Sequence, residues 1–456
     1  MRRSSDKAPR VAPLAIACLK GIVITANERG DVIRGGLVVV DGKAGTIVAV
    51  EKEGRPSEHG CEYVEGDDRA VIMPGLVNAH AHVPMAVLEG LARGLTGFEW
   101  LRTIWIYESL LRPSDIYLSS LLSIARMLEN GITTFSDQYF YEEEVARAVE
   151  ELGARAALSK GVVEFSEWAP KHTLKDSVDF ARKYMGGAGG RITTMIGVHA
   201  LYSCSYETLR EAAEISRETG IRIHMHFSES LDELELVRKR YGATPAELAE
   251  RLGILEARPL LAHATYLSDD DLKILGRHRP GVAYSPFTIM SWGQGVARVR
   301  ELIDLGVPVG LATDGPVTGG DLCLLKEAKL ALAAQSSRYL RPHALSPREV
   351  LEMLTRRAAE ALGLGHVVGS VEPGKRADVL LLRLRASRAV GLLDDPVHTV
   401  IYNASCDDVR SVYVDGRKVV SAGRVVGLGY EALLERIRGI RDRLLTAARE
   451  ILKSQG

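Results

Sequence analysis

The chain has 456 residues and a net charge of −1, with 46% hydrophobic and 26% charged residues. This composition is ordinary for a globular enzyme, and the length allows ~2–3 domains or one long α/β barrel with a smaller companion. The balanced charge gives no reason to expect nucleic acid or an anionic membrane as a partner. No stretch approaches the ~20 apolar residues of a membrane span.

The cysteines are five in number, widely spaced, and include no Cys-x-x-Cys pair. This pattern argues against a disulfide framework and against a structural zinc knuckle. Arg2 and Arg3 precede an apolar stretch at residues 11–19, but Pro13 interrupts it and a strand-like segment follows. We therefore expect no signal peptide and a cytoplasmic, reducing location. Asparagine and glutamine occur four times each, a scarcity typical of thermophile proteins.

The first seventy residues are rich in β-branched residues. Strands are predicted at residues 16–25, 35–40 and 46–50, with turn sequences at 27–30 and 41–42 between them. The chain returns to this character after residue 365, with strands predicted at 379–384, 409–414 and 418–420 and a final helix at 430–452. We expect residues 1–70 and 366–456 to build one composite β-sandwich domain that carries a C-terminal helix.

Strands and amphipathic helices alternate through residues 71–365, which predicts a parallel sheet covered by helices. Both an eight-stranded barrel and a doubly wound open sheet fit this alternation. The barrel is favoured because the Gly-x-Gly-x-x-Gly signature of nucleotide-binding open sheets is absent. We therefore predict that residues 71–365 form a (β/α)₈ TIM-type barrel that carries the catalytic groups.

Side chains suited to metal and proton chemistry follow several predicted strands, at the barrel end where catalysis takes place. His80 and His82 end the first strand, and side chains at i and i+2 on a strand point the same way. Two imidazoles so placed can reach one ion at ~2.0–2.1 Å. Three later strand ends carry further groups of this kind. They are His226 with Glu229 just beyond it, then His263, then Asp314.

This ordered set resembles a known family. The segments that carry the resemblance are Pro74-Gly-Leu-Val-Asn-Ala-His-Ala-His82, His226-Phe-Ser-Glu229, His263 and Thr313-Asp314-Gly315. They resemble the amidohydrolase superfamily, and within it the branch of S-adenosylhomocysteine/methylthioadenosine deaminases and triazine chlorohydrolases. The resemblance covers nearly the whole chain and also implies the composite β-sandwich.

The resemblance implies roles for these residues. His80, His82, His226 and Asp314 match the metal ligands of the family. His263 matches the histidine that contacts the attacking water, and Glu229 matches the residue that protonates the substrate ring. His224 lies in the same motif but does not match a ligand position.

The resemblance also implies the chemistry. A divalent ion activates water, Asp314 takes its proton, and Glu229 protonates a ring nitrogen while ammonia leaves. His199 stands where binuclear relatives carry a carboxylated lysine, so one ion per chain is expected. Zinc is the expected metal and iron(II) the alternative, because imidazole and carboxylate suit both.

The substrate is less tightly specified. In the resembled deaminases, residues matching His199 and Glu108 hold the ribose, and Lys160 stands where an arginine often meets the substrate's tail. We expect deamination of an adenosine-type nucleoside: adenosine, 5′-deoxyadenosine, methylthioadenosine or S-adenosylhomocysteine. The alternatives are a triazine-type hydrolase, a deaminase of another base such as a pterin or guanine, and a non-catalytic scaffold. A homo-oligomer is expected by analogy alone.

Overall fold

The computed structural model describes residues 16–454. Residues 1–15, which include the basic pair and the start of the predicted composite domain, lie outside the described residues. The described chain forms an eight-stranded parallel sheet that is nearly closed into a barrel, and a separate nine-stranded mixed sheet built from both ends of the chain. The predicted fold class is therefore confirmed.

The first five strands belong to the mixed sheet. They are β1 (Ile16–Ile24), β2 (Val32–Asp41), β3 (Thr46–Lys52), β4 (Tyr63–Glu65) and β5 (Val71–Pro74). The barrel follows as β6 (Leu76–Ala81), β7 (Ile132–Tyr139), β8 (Arg155–Val162), β9 (Ile192–Ala200), β10 (Ile223–Phe227), β11 (Leu260–His263), β12 (Gly281–Tyr284) and β13 (Val309–Leu311). The mixed sheet is completed by β14 (Val379–Leu382), β15 (Val409–Val414), β16 (Arg417–Ser421) and β17 (Arg424–Val425).

Helices lie between successive strands of the barrel and after its last strand. They are α1 (Gly97–Ser109), α2 (Pro113–Glu129), α3 (Glu142–Leu152), α4 (Leu174–Tyr184), α5 (Gly187–Gly190), α6 (Tyr206–Thr219), α7 (Leu231–Tyr241), α8 (Pro245–Arg251), α9 (Asp269–His278), α10 (Pro286–Ser291), α11 (Val299–Asp304), α12 (Pro316–Gly319), α13 (Leu324–Tyr339), α14 (Pro347–Leu354), α15 (Arg356–Ala361), α16 (Pro396–Asn403) and α17 (Tyr430–Ser454). Within residues 16–454, none of them is both long enough and apolar enough to cross a bilayer.

Local sequence explains where many of these helices begin. Four of them start with a capping box, in which the side chain at the N-cap and the one three residues later each accept a backbone N–H. The pairs are Thr173 with Asp176, Thr244 with Glu247, Ser268 with Asp271, and Ser346 with Glu349. The barrel strands between the helices are almost entirely buried, which explains their apolar runs.

Hydrogen bonds join the first and last strands of the barrel along a seam. The Asn78 side chain donates to the Thr313 hydroxyl (2.7 Å) and accepts from the Thr313 backbone N–H (2.9 Å). The Asp314 backbone N–H donates to the His80 carbonyl (3.1 Å). The seam therefore holds Asp314, which follows the eighth strand, beside the histidine that lies near the end of the first.

A buried ion-pair cluster joins the barrel to the mixed sheet. The Arg155 guanidinium, on β8, donates twice to the Asp378 carboxylate (2.8 and 3.1 Å) and also pairs with Asp415. Strand β5 pairs with both β1 and β14. We therefore propose that the boundary between the two domains lies after Pro74, slightly beyond the predicted residue 70.

The expectation that the cysteines form no disulfide framework was wrong. Cys18 is bonded to Cys61 and Cys323 to Cys406, while Cys204 is free and buried. The partners are 43 and 83 residues apart in sequence, so only the fold brings them together. Disulfides are also common in intracellular proteins of hyperthermophiles, whose amide scarcity this chain shares.

The Cys323–Cys406 bridge should add substantial stability because it closes a long loop between α13 and the mixed sheet. Replacing both residues by serine should lower the free energy of unfolding by roughly 4–5 kcal/mol and reduce Tm. Thiol titration of the unreduced, denatured wild-type chain should find one thiol, that of Cys204. Five titratable thiols, or an unchanged Tm in the double variant, would contradict this pairing.

Candidate metal centre and active-site pocket

Four imidazoles and one carboxylate converge at the C-terminal end of the barrel. His80 and His82 come from β6 and the residue after it, His226 from β10, His263 from β11, and Asp314 follows β13. The His82 and His226 Nε2 atoms lie 3.2 Å apart, and the Asp314 Oδ1 atom lies 3.4 Å from His82 Nε2 and 3.7 Å from His80 Nε2. The barrel thus brings together all the predicted metal ligands.

Backbone carbonyls fix which nitrogen of each histidine is free. His82 Nδ1 lies 2.8 Å from the Gln138 carbonyl, and His226 Nδ1 lies 3.0 Å from the His199 carbonyl. A carbonyl only accepts, so in both rings Nδ1 carries the proton and Nε2 keeps a lone pair. The two facing Nε2 atoms therefore have no proton to share.

A chain of hydrogen bonds orients His80 in the same way. The Ser159 hydroxyl donates to the Asp137 carbonyl (2.6 Å) and accepts from His224 Nδ1 (2.8 Å). His224 Nε2 is then an acceptor for the His80 Nδ1 proton, at 2.8 Å. His80 Nε2 is left with a lone pair directed at the centre of the cluster. His224 is thus a positioning residue behind the centre.

The residues present fit a divalent metal ion. His80 Nε2 is fully buried and has no hydrogen-bond partner among the described residues. Burial, reinforced by the neighbouring histidines, holds the pKa of His80 and of His226 well below the usual range, so both rings stay neutral. Donor atoms ~2.0–2.1 Å from one tetrahedral ion lie about 3.3 Å apart, close to the spacings seen here. The lone pairs of these facing nitrogen atoms repel one another, and a cation bound between them would remove that repulsion.

The backbone is strained at this end of the barrel. His263 and Asp314 adopt positive φ values of 77° and 59°, although neither is glycine. Such conformations cost about 1–3 kcal/mol each and cluster at functional sites. Gly315 allows the backbone after Asp314 to pass close to Met85 and His82. A Cβ at this position would lie 2.9 Å from the Met85 sulfur and 3.1 Å from His82 Cβ.

Glu229 lies beside the histidine cluster. Its Oε1 atom is 3.8 Å from His263 Nε2, and its backbone N–H donates to the Glu233 carboxylate (2.8 Å). Burial, with a smaller contribution from the charge of Asp314, raises the pKa of Glu229 to about 8. The carboxyl group therefore holds a proton near neutral pH and is able to donate it.

A pocket leads from solvent to this cluster, and its enclosed part has a volume of about 90 Å³. Glu108, on α1, and His199, at the end of β9, line its wall as the sequence predicts. Burial raises the pKa of Glu108 to about 8, and the Tyr139 hydroxyl opposes that shift. The His199 Nδ1 atom lies 2.9 Å from the Ser203 hydroxyl.

Lys160 is placed differently from the prediction. It does not line the pocket, and its ammonium group lies 2.5 Å from the Glu143 carboxylate on α3. Its neighbour Gly161 lines the pocket instead. Adjacent residues of a strand face opposite sides, so Lys160 is directed at the surrounding helices. A substrate contact by Lys160 is therefore not proposed.

Several pocket residues escaped the sequence analysis. Trp100 and Trp105 lie on the pocket side of α1, and Gln138 lies near the end of β7. Gln138 is a polar residue at a strand end, so the positional signal that predicts His226 and His263 also applies to Gln138. Trp292, which follows α10, belongs to a loop with no such periodic signal.

Comparison with known proteins identifies the family. The model of the amidohydrolase family matches residues 71–419. The chain belongs to the amidohydrolase family. It is 39% identical over 376 residues to a 5-methylthioadenosine/S-adenosylhomocysteine deaminase of Desulforudis audaxviator, covering 82% of this chain and 87% of that protein. It is 35% identical over 423 residues to a 5′-deoxyadenosine deaminase of Methanosarcina acetivorans, covering 92% and 96% respectively.

Solved structures share this amidohydrolase fold. An adenosine deaminase from Xanthomonas campestris with bound zinc superposes with a TM-score of 0.87 at 26% identity, covering 94% of this chain and 98% of that one. The zinc complex of an atrazine chlorohydrolase from Arthrobacter aurescens superposes with a TM-score of 0.85 at 23% identity, covering 93% and 100%. The predicted resemblance is confirmed, and the family and its relatives support a hydrolase acting on carbon–nitrogen bonds.

His224 offers a test of the hydrogen-bond chain behind His80. Replacing His224 by alanine should weaken metal binding about 10–100-fold, because His80 loses the acceptor that fixes its ring. His224→Gln keeps an acceptor group and should restore part of the affinity. Chelator competition measures the dissociation constant, and circular dichroism checks folding. Wild-type affinity in a folded His224→Ala variant would rule out this positioning role.

Glu108 should make stability depend on pH. Its folded pKa of about 8 exceeds its ordinary value of 4.5, so the fold favours the protonated form. The contribution of Glu108 to the free energy of unfolding is full below pH 4.5 and falls by about 1.4 kcal/mol per pH unit as the pH rises to 8. Glu108→Gln should remove this slope, so its Tm relative to wild type rises between pH 5 and 8. Glu99→Gln, a solvent-facing control on α1, should show the same dependence of Tm on pH as wild type. A Glu108→Gln profile of Tm against pH that runs parallel to that of wild type would contradict the raised pKa of Glu108.

Proposed function

We propose that this amidohydrolase is a mononuclear, metal-dependent deaminase of adenosine-type nucleosides. The observation that carries the proposal is a pair of overlapping groups of possible metal ligands, whose ligand atoms lie within 4.8 Å of one another in each group: His80 with His82 and Asp314, and His80 with His226 and His263. They lie at the base of a pocket that also holds Glu229. The relatives named as deaminases of methylthioadenosine, S-adenosylhomocysteine and 5′-deoxyadenosine support the choice of substrate class.

We propose that His80, His82, His226 and Asp314 hold one divalent ion, with zinc expected and iron(II) the alternative. When bound, such an ion supplies Lewis acidity, which lowers the pKa of water from ~15.7 toward ~7. His199 stands near the centre as a neutral imidazole, because burial lowers its pKa to about 3. A neutral side chain there adds no bridging charge for a second ion.

The chain's own residues would then manage four proton transfers. Asp314 accepts the proton that water loses as its oxygen attacks the ring carbon bearing the amino group. Glu229 donates its proton to the adjacent ring nitrogen, so that negative charge does not accumulate there. The proton on Asp314 then leaves with the amino group as ammonia. The hydroxyl proton left on the ring carbon's oxygen returns to Glu229 as the carbonyl forms, which restores both carboxyl groups. His263, packed beside Glu229, orients the attacking water. Each such acid–base step typically contributes ~10²–10⁴-fold.

Glu108 and His199 would hold the sugar. The Glu108 Oε1 atom is buried without a hydrogen-bond partner among the described residues, and both side chains line the pocket above the metal cluster. A buried, unpaired carboxyl oxygen is costly unless a ligand group satisfies it. Ribose hydroxyl groups are donors suited to that position.

An ammonia-release assay on metal-loaded protein tests the proposal. Adenosine, 5′-deoxyadenosine, methylthioadenosine and S-adenosylhomocysteine form the first panel, and a pterin, guanine and an amino-triazine form the second. Metal analysis should find about one ion per chain. Turnover confined to the second panel, or no turnover at all, would refute the nucleoside assignment.

Asp314→Asn should lose at least about 10²-fold in kcat while remaining folded, because the amide cannot accept the water's proton. Glu143→Gln is the matched control, since that carboxylate pairs with Lys160 outside the pocket and should keep wild-type kcat. Thermal unfolding of both variants separates loss of chemistry from loss of fold. A wild-type kcat in Asp314→Asn would remove the residue from this role.

A further inference from the structure

The mouth of the pocket differs in chemistry from its base. The base is formed by the buried histidines and Asp314, whereas Phe98 is 40% exposed and Trp100 and Trp292 are half-buried. The Trp100 and Trp292 rings pack with centroids 4.8 Å apart, and Phe98 packs edge-on against Tyr202 at 5.3 Å. Three aromatic side chains therefore border the opening.

No lysine or arginine lines the pocket among the described residues, and its acidic side chains are those of Glu108, Glu229, Asp232 and Asp314. Asp232 is exposed at the mouth, where its Oδ2 atom lies close to Gly97. Two cations on nearby elements are engaged elsewhere: Lys160 pairs with Glu143, while Arg240 lies over the Phe165 ring (5.0 Å) and near the Tyr202 carbonyl (3.4 Å).

We propose that the mouth is a subsite for a neutral, apolar 5′ substituent, and that the enzyme selects alkylthio- and deoxy-nucleosides over a nucleoside whose tail ends in a carboxylate. This inference rests on the proposed function. The reacting ring lies at the base and the ribose lies against Glu108 and His199, so the 5′ substituent is directed to the mouth. There it meets the faces of Phe98, Trp100 and Trp292.

The selectivity follows from desolvation. A short thioether or methyl group gains by contact with aromatic rings, while a carboxylate held against them loses its water. Asp232 would accept a tail's ammonium group but repels its carboxylate, which finds no partner in the described wall. An unpaired charged group costs enough to give about a tenfold to hundredfold preference.

Three thioether nucleosides that differ in length and charge test this proposal. They are methylthioadenosine, 5′-butylthioadenosine and S-adenosylhomocysteine, of which the last two have tails of similar length. With metal-loaded protein, we expect kcat/KM for the butyl compound to be near that for the methyl compound and at least about tenfold above that for S-adenosylhomocysteine. Quenching of tryptophan fluorescence measures binding in the same order, independently of turnover.

A cation placed at the mouth should weaken the preference. Phe98→Arg should narrow the gap between the butyl compound and S-adenosylhomocysteine by about tenfold. Phe98→Gln, similar in reach but uncharged, should leave the gap open. Equal kcat/KM for those two nucleosides in wild type would overturn the proposal, and so would rejection of both, because length would then decide. Binding in the expected order without ammonia release would refute the proposed function and leave the subsite standing.

Discussion

The site depends on neutral imidazole rings whose lone pairs face one another inside the barrel. The Nδ1–H groups of His82 and His226 donate hydrogen bonds to backbone carbonyls, and the Nδ1–H group of His80 donates one to His224. Burial lowers the pKa of all three metal-facing rings, so protonation cannot relieve the contact. A lone pair without a donor is then satisfied by an electron-pair acceptor, which is why this arrangement favours a metal ion.

The fold supplies the rigidity that this arrangement needs. Asn78 and Thr313 join the first and last barrel strands, and the same seam bonds the Asp314 backbone to the His80 carbonyl. The positive φ values of His263 and Asp314 cost free energy that the packed barrel must offset. At the start of β8, the end of the strand opposite the active site, the ion pair of Arg155 with Asp378 holds the mixed sheet against the barrel. Precise ligand placement is thus a property of the whole barrel rather than of any one loop.

Much of this could be predicted from the sequence, because the relevant signals are local. Apolar runs ending in His80, His226, His263 and Asp314 indicate both the strands and the edge at which they converge. The side of the strand to which Lys160 points could not be predicted from the sequence, because the strand itself has no clear apolar pattern. Its strand, β8, contains Arg155 and Lys160, so it lacks the apolar run by which the other strands were recognised.

The disulfides and the pocket mouth could not be predicted, because both join segments distant in the chain. Trp100 and Trp292 meet only through the packing of α1 against the segment that follows α10. The base of the pocket, in contrast, is fixed by strand ends that the barrel itself positions.

Chemistry and specificity therefore reside in structurally separate parts of the molecule. The aromatic residues at the mouth, Phe98, Trp100 and Trp292, are neither proposed metal ligands nor proposed proton donors. This separation explains how one barrel fold can accommodate both an adenosine deaminase and an atrazine chlorohydrolase among its structural neighbours. In this chain, the opening is bordered by Phe98, Trp100, Trp292 and the Asp232 carboxylate, so the proposed preference for an apolar 5′ substituent rests on residues outside the histidine cluster.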